Sequence, residues 1–424
     1  MKDGKALLTE HSKEFRREVI NVTDNVYVGI GYGTANSTMI EGNDGVIIVD
    51  TLESTSGAEN LKKEFDKITD KPVRAIILSH FHGDHTGGVS VFAADYNPEI
   101  IANESLTSSK VKSPVAKILR KRWTYQFGHD LPDSVKQNIG IGPAKRPMKG
   151  FGEGWVAPTK TFSEDRYKFT VSGVNIELVK APGETDDQIY TWLPEMKVLL
   201  CADNYYKAFP NISPIRGSPY RDITKWVASL DKIIAEGAEY LIPGHSRPIV
   251  GADEIRRVLS IYRDAIRYVY DKTHEGMNEG LTPDELVEYV KLPRHMAEEP
   301  CLQEFYGTVD WAVRSIFTGF AGWFDGNPTN LFPLPPSEYA EKFIEVAGGV
   351  KVLKQKIKEA FDKGEYQWVL HLVDIGEAFD PSFEVGELKW RTLEELGERQ
   401  LNATSRNYFL TSSQKTREKQ KDTN

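Results

Sequence analysis

Residues 80 to 88 read His80-Phe81-His82-Gly83-Asp84-His85-Thr86-Gly87-Gly88, which places three imidazoles and a carboxylate within six positions. Imidazole nitrogen and carboxylate oxygen are the ligand types that zinc and its first-row neighbours prefer. The chain has only 9 histidines in 424 residues, too few for such a cluster to be an accident of composition. The segment follows directly on Ile76-Ile77-Leu78, so it lies where the chain leaves an apolar strand and neighbouring side chains can converge. Gly83, Gly87 and Gly88 give the backbone freedom to bend tightly, aiming His80 and His82 at one point and Asp84 and His85 at another. The chemistry such a site supports is metal-assisted hydrolysis, in which a cation lowers the pKa of bound water from 15.7 to about 7. Thiol chemistry is not on offer. Cys201 and Cys301 are the only cysteines, and they lie far apart without Cys-x-x-Cys spacing.

The elements that must hold these side chains show in the apolar pattern. Short β-branched runs at 26–30, 37–41 and 45–50 are separated by turns, and Asn43-Asp44-Gly45 between the last two is a hairpin signal. Leu61, Phe65 and Ile68 sit at helical spacing within 56–69, and 73–78 reads as a buried strand. A second β-rich stretch, 166–203, holds strands at 174–179, 188–192 and 197–201. Two β-rich halves, each followed by a helix, imply two stacked sheets with helices outside. Residues 103–160 are polar and rich in Lys, Pro and Gly, and read as an insertion over one edge of the sandwich, in the position of a lid.

After Gly251 helix signals dominate. Ile255, Val258, Leu259, Tyr262, Ala265, Ile266 and Val269 repeat at helical spacing, and Thr282-Pro283-Asp284-Glu285 reads as an N-cap, a first-turn proline and first-turn acids. The expected organisation is an α/β catalytic domain over 15–251, a helical domain over 252–410, and a tail over 411–424. That tail carries Ser, Thr, Lys and Gln without apolar anchors and is expected to be disordered.

Composition narrows the function. With 53 Lys plus Arg against 62 Asp plus Glu, the formal net charge is −9, which argues against a nucleic-acid partner, since such binding needs many phosphate-neutralising side chains. No apolar run reaches the roughly 18–20 residues that span a bilayer, so no membrane span is expected. The start of the chain lacks the apolar core of a secretory signal. A cytoplasmic location is the default, with a mature periplasmic or secreted form left open.

The His-x-His-x-Asp-His sequence after a β-meander resembles the metallo-β-lactamase superfamily, whose αβ/βα sandwich carries a two-metal site at the sheet edge. The resemblance implies further ligands from later loops, and Glu184, Asp203 and His245 stand at matching places, each where an apolar run gives way to a loop. Most members of the superfamily have His where Glu184 stands. Glutamate there is similar to the alkyl sulfatase branch, and the likeness continues through Asn211-Ile212-Ser213-Pro214-Ile215-Arg216-Gly217-Ser218-Pro219-Tyr220-Arg221-Asp222, which resembles the segment with which that branch holds the sulfate group. It extends into the helical half through Tyr306-Gly307-Thr308-Val309 and Gly322-Trp323-Phe324-Asp325-Gly326-Asn327-Pro328, similar to the branch's dimerisation domain. The likeness covers 26–410. The fold class it implies is α/β, a metallo-β-lactamase-type sandwich followed by an all-α dimerisation domain.

The same resemblance implies a binuclear zinc hydrolase of alkyl sulfates. His80, His82 and Glu184 would bind one Zn2+, Asp84, His85 and His245 the other, and Asp203 would bridge. Asn211, Arg216 and Arg221 would hold the sulfate. A guanidinium presents several donors in one plane and suits a tetrahedral oxyanion on physical grounds alone, although surface ion pairing in an acidic chain is also open to both arginines. Two departures matter. Trp311 and Trp323 stand where the branch shows a His and a Tyr facing the sulfate, so they are read as weak pocket-lining positions, equally suited to packing. The chain also leaves no room after Asn424 for the sterol-carrier-like domain of larger relatives, which favours a shorter or less hydrophobic substrate. The partners expected are a small-molecule ester and a second copy of the chain. The competing functions are hydrolysis of a thioester, lactone, phosphodiester or β-lactam on the same core, and a non-catalytic binding protein stabilised by metal.

Overall fold

The computed structural model of the protein describes residues 4–94, 96–109 and 113–423. Among the described residues thirteen strands form two sheets. The first holds β1 (Glu18–Thr23), β2 (Val26–Ile30), β3 (Ser37–Glu41), β4 (Val46–Val49), β5 (Val73–Ile77), β6 (Glu99–Asn103) and β7 (Lys160–Phe162), in that order across the sheet. The second holds β8 (Arg166–Val171), β9 (Val174–Lys180), β10 (Ile189–Leu193), β11 (Val198–Ala202), β12 (Tyr240–Pro243) and β13 (Ile249–Val250). β1 to β4 are antiparallel, whereas β4 to β7 run parallel. In the second sheet only β11 and β12 are parallel.

Period-two alternation decides what each face meets. On β5, Ala75 and Ile77 join Val28, Ile47, Ile101, Leu178, Leu200 and Ile242 in the core between the sheets. Ile76 and Leu78 face the other way, onto Leu61 and Phe65 of the helix Thr55–Phe65. The outer face of the second sheet is covered by the helices Ile223–Ala235 and Ala252–Asn278, whose Trp226, Leu230, Leu259 and Tyr262 pack on Tyr190, Leu199 and Leu241. The sandwich is therefore αβ/βα, as the pattern predicts. All seven apolar positions picked out between 255 and 269 are buried, and Thr282 with Glu285 closes a reciprocal capping box.

Two expectations change. The expected disordered tail is helical over its described residues, 411–423: the helix Ala403–Thr423 runs through them, with Thr411 and Ser413 buried. The insertion holds a helix, Ala116–Phe127, and is tied down rather than loose. Thr55 N donates to Gly150 O at 3.3 Å, Gly152 N to Glu53 O at 2.9 Å, and Arg406 Nη1 to Val135 O at 3.0 Å. Among the described residues no helix is long and apolar enough to cross a membrane.

Candidate metal centre

Four strand ends meet at one edge of the sandwich. Because β4 and β5 run parallel, as do β11 and β12, Asp50, His80, Asp203 and His245 emerge together, each one to three residues beyond its strand. This is where open α/β sheets place their ligands. Asp50 (φ 60°), Leu52 (φ 64°), Ala202 (φ 49°) and Ser246 (φ 69°) all take left-handed backbone beside the site. Each such non-glycine conformation costs about 1–3 kcal/mol and persists only where the surrounding structure enforces it.

The glycines of the motif act otherwise than expected. Gly87 and Gly88 have ordinary φ values of −79° and −112°. A Cβ on them would stand 2.3 Å from Glu53 O and 2.2 Å from Thr51 O. Their role is close approach: they let the turn after His85 lie on the exit of β4, where Thr51 N donates to His85 O at 2.8 Å and Gly87 N to Leu52 O at 2.7 Å.

The structure brings six of the seven expected ligands into two donor triads, His80/His82/Asp203 and Asp84/His85/His245, the atoms of each within 4.8 Å of one another. Asp203 lies between them. Its Oδ2 is 3.5 Å from His80 Nε2, and its Oδ1 is 3.4 Å from His85 Nε2 and 3.3 Å from His245 Nε2. Asp84 Oδ2 is 3.8 Å from His85 Nε2 and 3.7 Å from His245 Nε2. The other ring nitrogens are already engaged: His85 Nδ1 lies 2.7 Å from Asp50 Oδ2, His245 Nδ1 2.9 Å from Thr34 O, and His80 Nδ1 3.0 Å from Ser79 Oγ. Such outer partners fix which nitrogen of a histidine is offered to a metal.

Charge is concentrated here out of reach of water. Burial, and then the neighbouring histidines, hold His80 and His82 well below the ordinary imidazole pKa. Burial presses on His85 and His245 as well, but Asp203 and other carboxylates outweigh it, keeping His85 well above its usual range and raising His245 to about 9. Asp203 is held well below the carboxylate range, because His245, His85 and His80 overcome its burial. His85 Nε2 and Asp203 Oδ1 are buried without a hydrogen-bond partner among the described residues. An orphaned nitrogen and an orphaned oxygen facing one another across 3.4 Å, with His245 Nε2 3.3 Å from the oxygen and Asp84 Oδ2 3.8 Å from the nitrogen, fit divalent cations.

Glu184 is the seventh expected ligand and belongs to neither triad. It is buried and ion-paired with Arg221. Burial raises its pKa to about 7, with Arg221 opposing and Asp203 adding to the rise. Arg221 Nη1 also donates to Asn211 O at 2.6 Å, so Arg221 is not the surface ion-pairer that an acidic chain would equally allow. Arg221 Nε and Nη2, Arg216 Nη1 and Asn211 Oδ1 are buried and have no hydrogen-bond partner among the described residues. A cavity of about 140 Å3 lies beside these groups, lined in part by His82, Asp84, Glu184, Asp203, Arg216 and Tyr306.

Trp311 and Trp323 do not line this cavity. Trp323 is 74% exposed on the loop after the helix Val309–Ala321, and Trp311 sits in that helix's first turn, its backbone N–H donating to the N-cap Thr308 Oγ1 at 3.1 Å. Sequence reasoning missed Asp50, Ser79, Thr34, Glu53, Arg146, Trp123 and Tyr306. Two of these carried a local signal: Asp50, as an acid closing the apolar run of β4, and Tyr306, which opens the Tyr306-Gly307-Thr308-Val309 likeness without itself reading as a site residue.

Comparison with known proteins agrees with this fold. The pattern of the metallo-beta-lactamase superfamily matches residues 30–245, and that of alkyl sulfatase dimerisation matches 282–419. The chain is 39% identical to a linear primary-alkylsulfatase of Pseudomonas sp. (strain ATCC 19151), over 88% of this chain and 72% of the relative. It is 33% identical to an alkyl/aryl-sulfatase of Saccharomyces cerevisiae, over 94% of this chain but only 64% of the relative. The solved structure of a stereoselective inverting sec-alkylsulfatase from Pseudomonas sp. superposes with a TM-score of 0.85 at 28% identity, over 94% of this chain and 65% of that one. The chain belongs to the metallo-beta-lactamase superfamily. Within it, the chain belongs to the alkylsulfatases, which are sulfuric ester hydrolases.

Proposed function

We propose that the protein hydrolyses sulfate esters of small alcohols at this centre, with two Zn2+ ions per chain. The observation that carries the reading is the pairing, in and around one cavity, of a divalent-cation donor set with buried, unsatisfied guanidinium donors on Arg216 and Arg221. His80, His82 and Glu184 would hold one ion, and Asp84, His85 and His245 the other, with Asp203 between them. Once bound, the ions supply a nucleophile at neutral pH by acidifying water.

The chain's own residues do the rest. Arg216 and Arg221 grip the sulfate oxygens and neutralise charge that grows as the ester bond breaks. Asn211 is fixed for this by its backbone N–H, which donates to Tyr206 Oη at 2.8 Å. Asp50 and the Thr34 carbonyl keep His85 and His245 in the tautomers that present Nε2. Residues 15–251 form the catalytic unit and the helical part from 252 onward the dimerising one, so the working enzyme is a homodimer.

The test is sulfate release from alkyl and aryl sulfates by the zinc-loaded protein, with metal content measured alongside. His82→Ala is expected to lose metal and activity together, whereas Arg216→Ala is expected to keep metal and lose activity. A metal-replete protein that releases no sulfate but cleaves thioesters or lactones would replace this reading with another ester class.

A further inference from the structure

The helical half reaches into the cavity. Of the described residues that line it, Tyr306 is the one from beyond residue 251, on the stretch before the helix Val309–Ala321. Tyr306 is buried, and its surroundings hold it from several sides. Asn402, at the start of the C-terminal helix, donates through Nδ2 to Tyr306 O and Glu304 O, each at 2.9 Å. Gly307 lies so close to the segment that begins with Asn211 that a Cβ there would stand 2.0 Å from Pro210 O and 2.8 Å from Asn211 Cα. Gly140 of the insertion approaches in the same way, with room for a Cβ only 3.0 Å from Tyr306 Cβ. The Tyr206 ring is edge-on to Tyr306 at 5.8 Å, and its hydroxyl accepts from Asn211 N at 2.8 Å.

The ring packs among apolar side chains, Phe127, Ile141 and Phe305 among them, while its hydroxyl meets charge. Arg216, Glu184 and Arg221 act on that hydroxyl, and the Asn211 side chain lies beside it. Burial raises its pKa to about 12, with Arg216 opposing and Glu184 adding to the rise. Near neutral pH it is therefore an O–H donor. A neutral donor of this kind binds an outer oxygen of a sulfate ester without setting another positive charge beside the cation site and the two guanidiniums. Trp311 and Trp323 lie outside the cavity and supply no such donor.

We propose that the Tyr306 hydroxyl donates a hydrogen bond to an outer oxygen of the bound sulfate ester, beside Arg216, which makes Tyr306 a catalytic residue contributed by the helical half. The inference rests on the sulfatase reading above. The bond orients the ester against the centre, so it counts in binding and in turnover alike.

The experiment compares the zinc-loaded wild type with Tyr306→Phe, which deletes the hydroxyl and keeps the ring. It measures kcat/KM for octyl sulfate, calorimetric binding of the unreactive octanesulfonate, zinc content and circular dichroism. Tyr306→Phe is expected to lose about 10- to 100-fold in kcat/KM and about tenfold in sulfonate affinity, with zinc content and circular dichroism unchanged. A packing role predicts wild-type values throughout. That result, or loss of zinc from the variant, overturns this inference and leaves the sulfatase reading standing. A crystal structure of the wild type with octanesulfonate checks the contact without any substitution. A sulfonate oxygen is expected about 2.5–3.0 Å from Tyr306 Oη, and a sulfonate held by Arg216 beyond reach of that hydroxyl overturns the inference too. A wild type that releases no sulfate from octyl sulfate overturns both readings.

Discussion

Asp50 Oδ2 stands 2.7 Å from His85 Nδ1, and both side chains are buried. The same carboxylate accepts from Ser79 Oγ and Ser79 N, each at 2.8 Å. Asp50→Asn keeps the shape but sets an amide N–H₂ against either a ring N–H or a serine donor, whichever way it turns. The expected outcome is a fall of about 10- to 100-fold in zinc affinity with the fold retained. Chelator competition followed by mass-spectrometric metal counting reads it, with circular dichroism as the check on folding. Unchanged affinity would remove Asp50 from the site.

The titration of the metal-free protein gives a second prediction. His245 rises from 6.5 to about 9 and Glu184 from 4.5 to about 7, so both hold protons more tightly folded than unfolded. Their stabilisation is complete below the unfolded pKa of each and is lost as pH rises through about 7 for Glu184 and about 9 for His245. His85 acts in the same sense. Between pH 6.5 and 9 the metal-free protein is expected to lose stability, on the order of a few kcal/mol. With zinc in excess the slope should reverse, because cation and proton compete for the same imidazoles. Calorimetric melting across this range, with chelator and with zinc, tests both slopes, and parallel curves would contradict the assignment.

Glu184 and Arg221 form a buried ion pair with both side chains 3% exposed. Removing one partner from such a pair costs about 3–5 kcal/mol. Arg221→Gln is therefore expected to lower stability by about that amount and to abolish sulfate release while the second zinc stays bound. Glu184→Gln discriminates further. A ligand role predicts loss of one zinc equivalent, whereas a purely ion-pairing role predicts destabilisation with both zincs kept.

What could be read from the chain follows from how local each feature is. His80, His82, Asp84 and His85 are legible because adjacent residues carry them, and His245 and Asp203 because each ends an apolar run. Trp123 and Arg146 belong to a segment whose few apolar residues, Phe127, Ile139 and Ile141 among them, meet Leu8, Tyr206 and Phe305 in a small cluster at irregular spacing, so no periodicity marks them. Glu53 is a lone acid whose partners, Thr34 and Arg146, are 19 and 93 residues away. The C-terminal helix was missed because its anchors are polar. Arg406 is 1% exposed and bonded to Val135 O and Glu398, while the Asn402 side chain donates to Glu304 O and Tyr306 O.

That helix carries its own prediction. Truncation after Leu410 removes the buried Thr411 and the bonds from Ser413 Oγ to Trp390 O at 2.8 Å and from Gln420 Nε2 to Gly386 O at 2.7 Å. The loss is expected to exceed about 2 kcal/mol and to appear as a drop of several degrees in Tm. A disordered tail would leave the melting curve where it was.

The helical half leaves large apolar side chains in contact with solvent on one stretch of chain. Trp323, Phe332 and Val346 are 74%, 92% and 89% exposed, and Phe320, Leu331, Leu334 and Tyr339 lie between or beside them. Exposed apolar side chains gathered in this way mark an association surface, and this stretch falls within the matched dimerisation region, 282–419. The wild type is expected to have a dimeric mass by light scattering at micromolar concentration. Trp323→Asp combined with Phe332→Asp desolvates two charges at the contact and should weaken the dimer by at least about a hundredfold, leaving a monomer at that concentration. The helical circular dichroism should not change, since neither side chain is part of a core. A wild type that is already monomeric, or a doubly substituted chain that stays dimeric, would move the interface elsewhere.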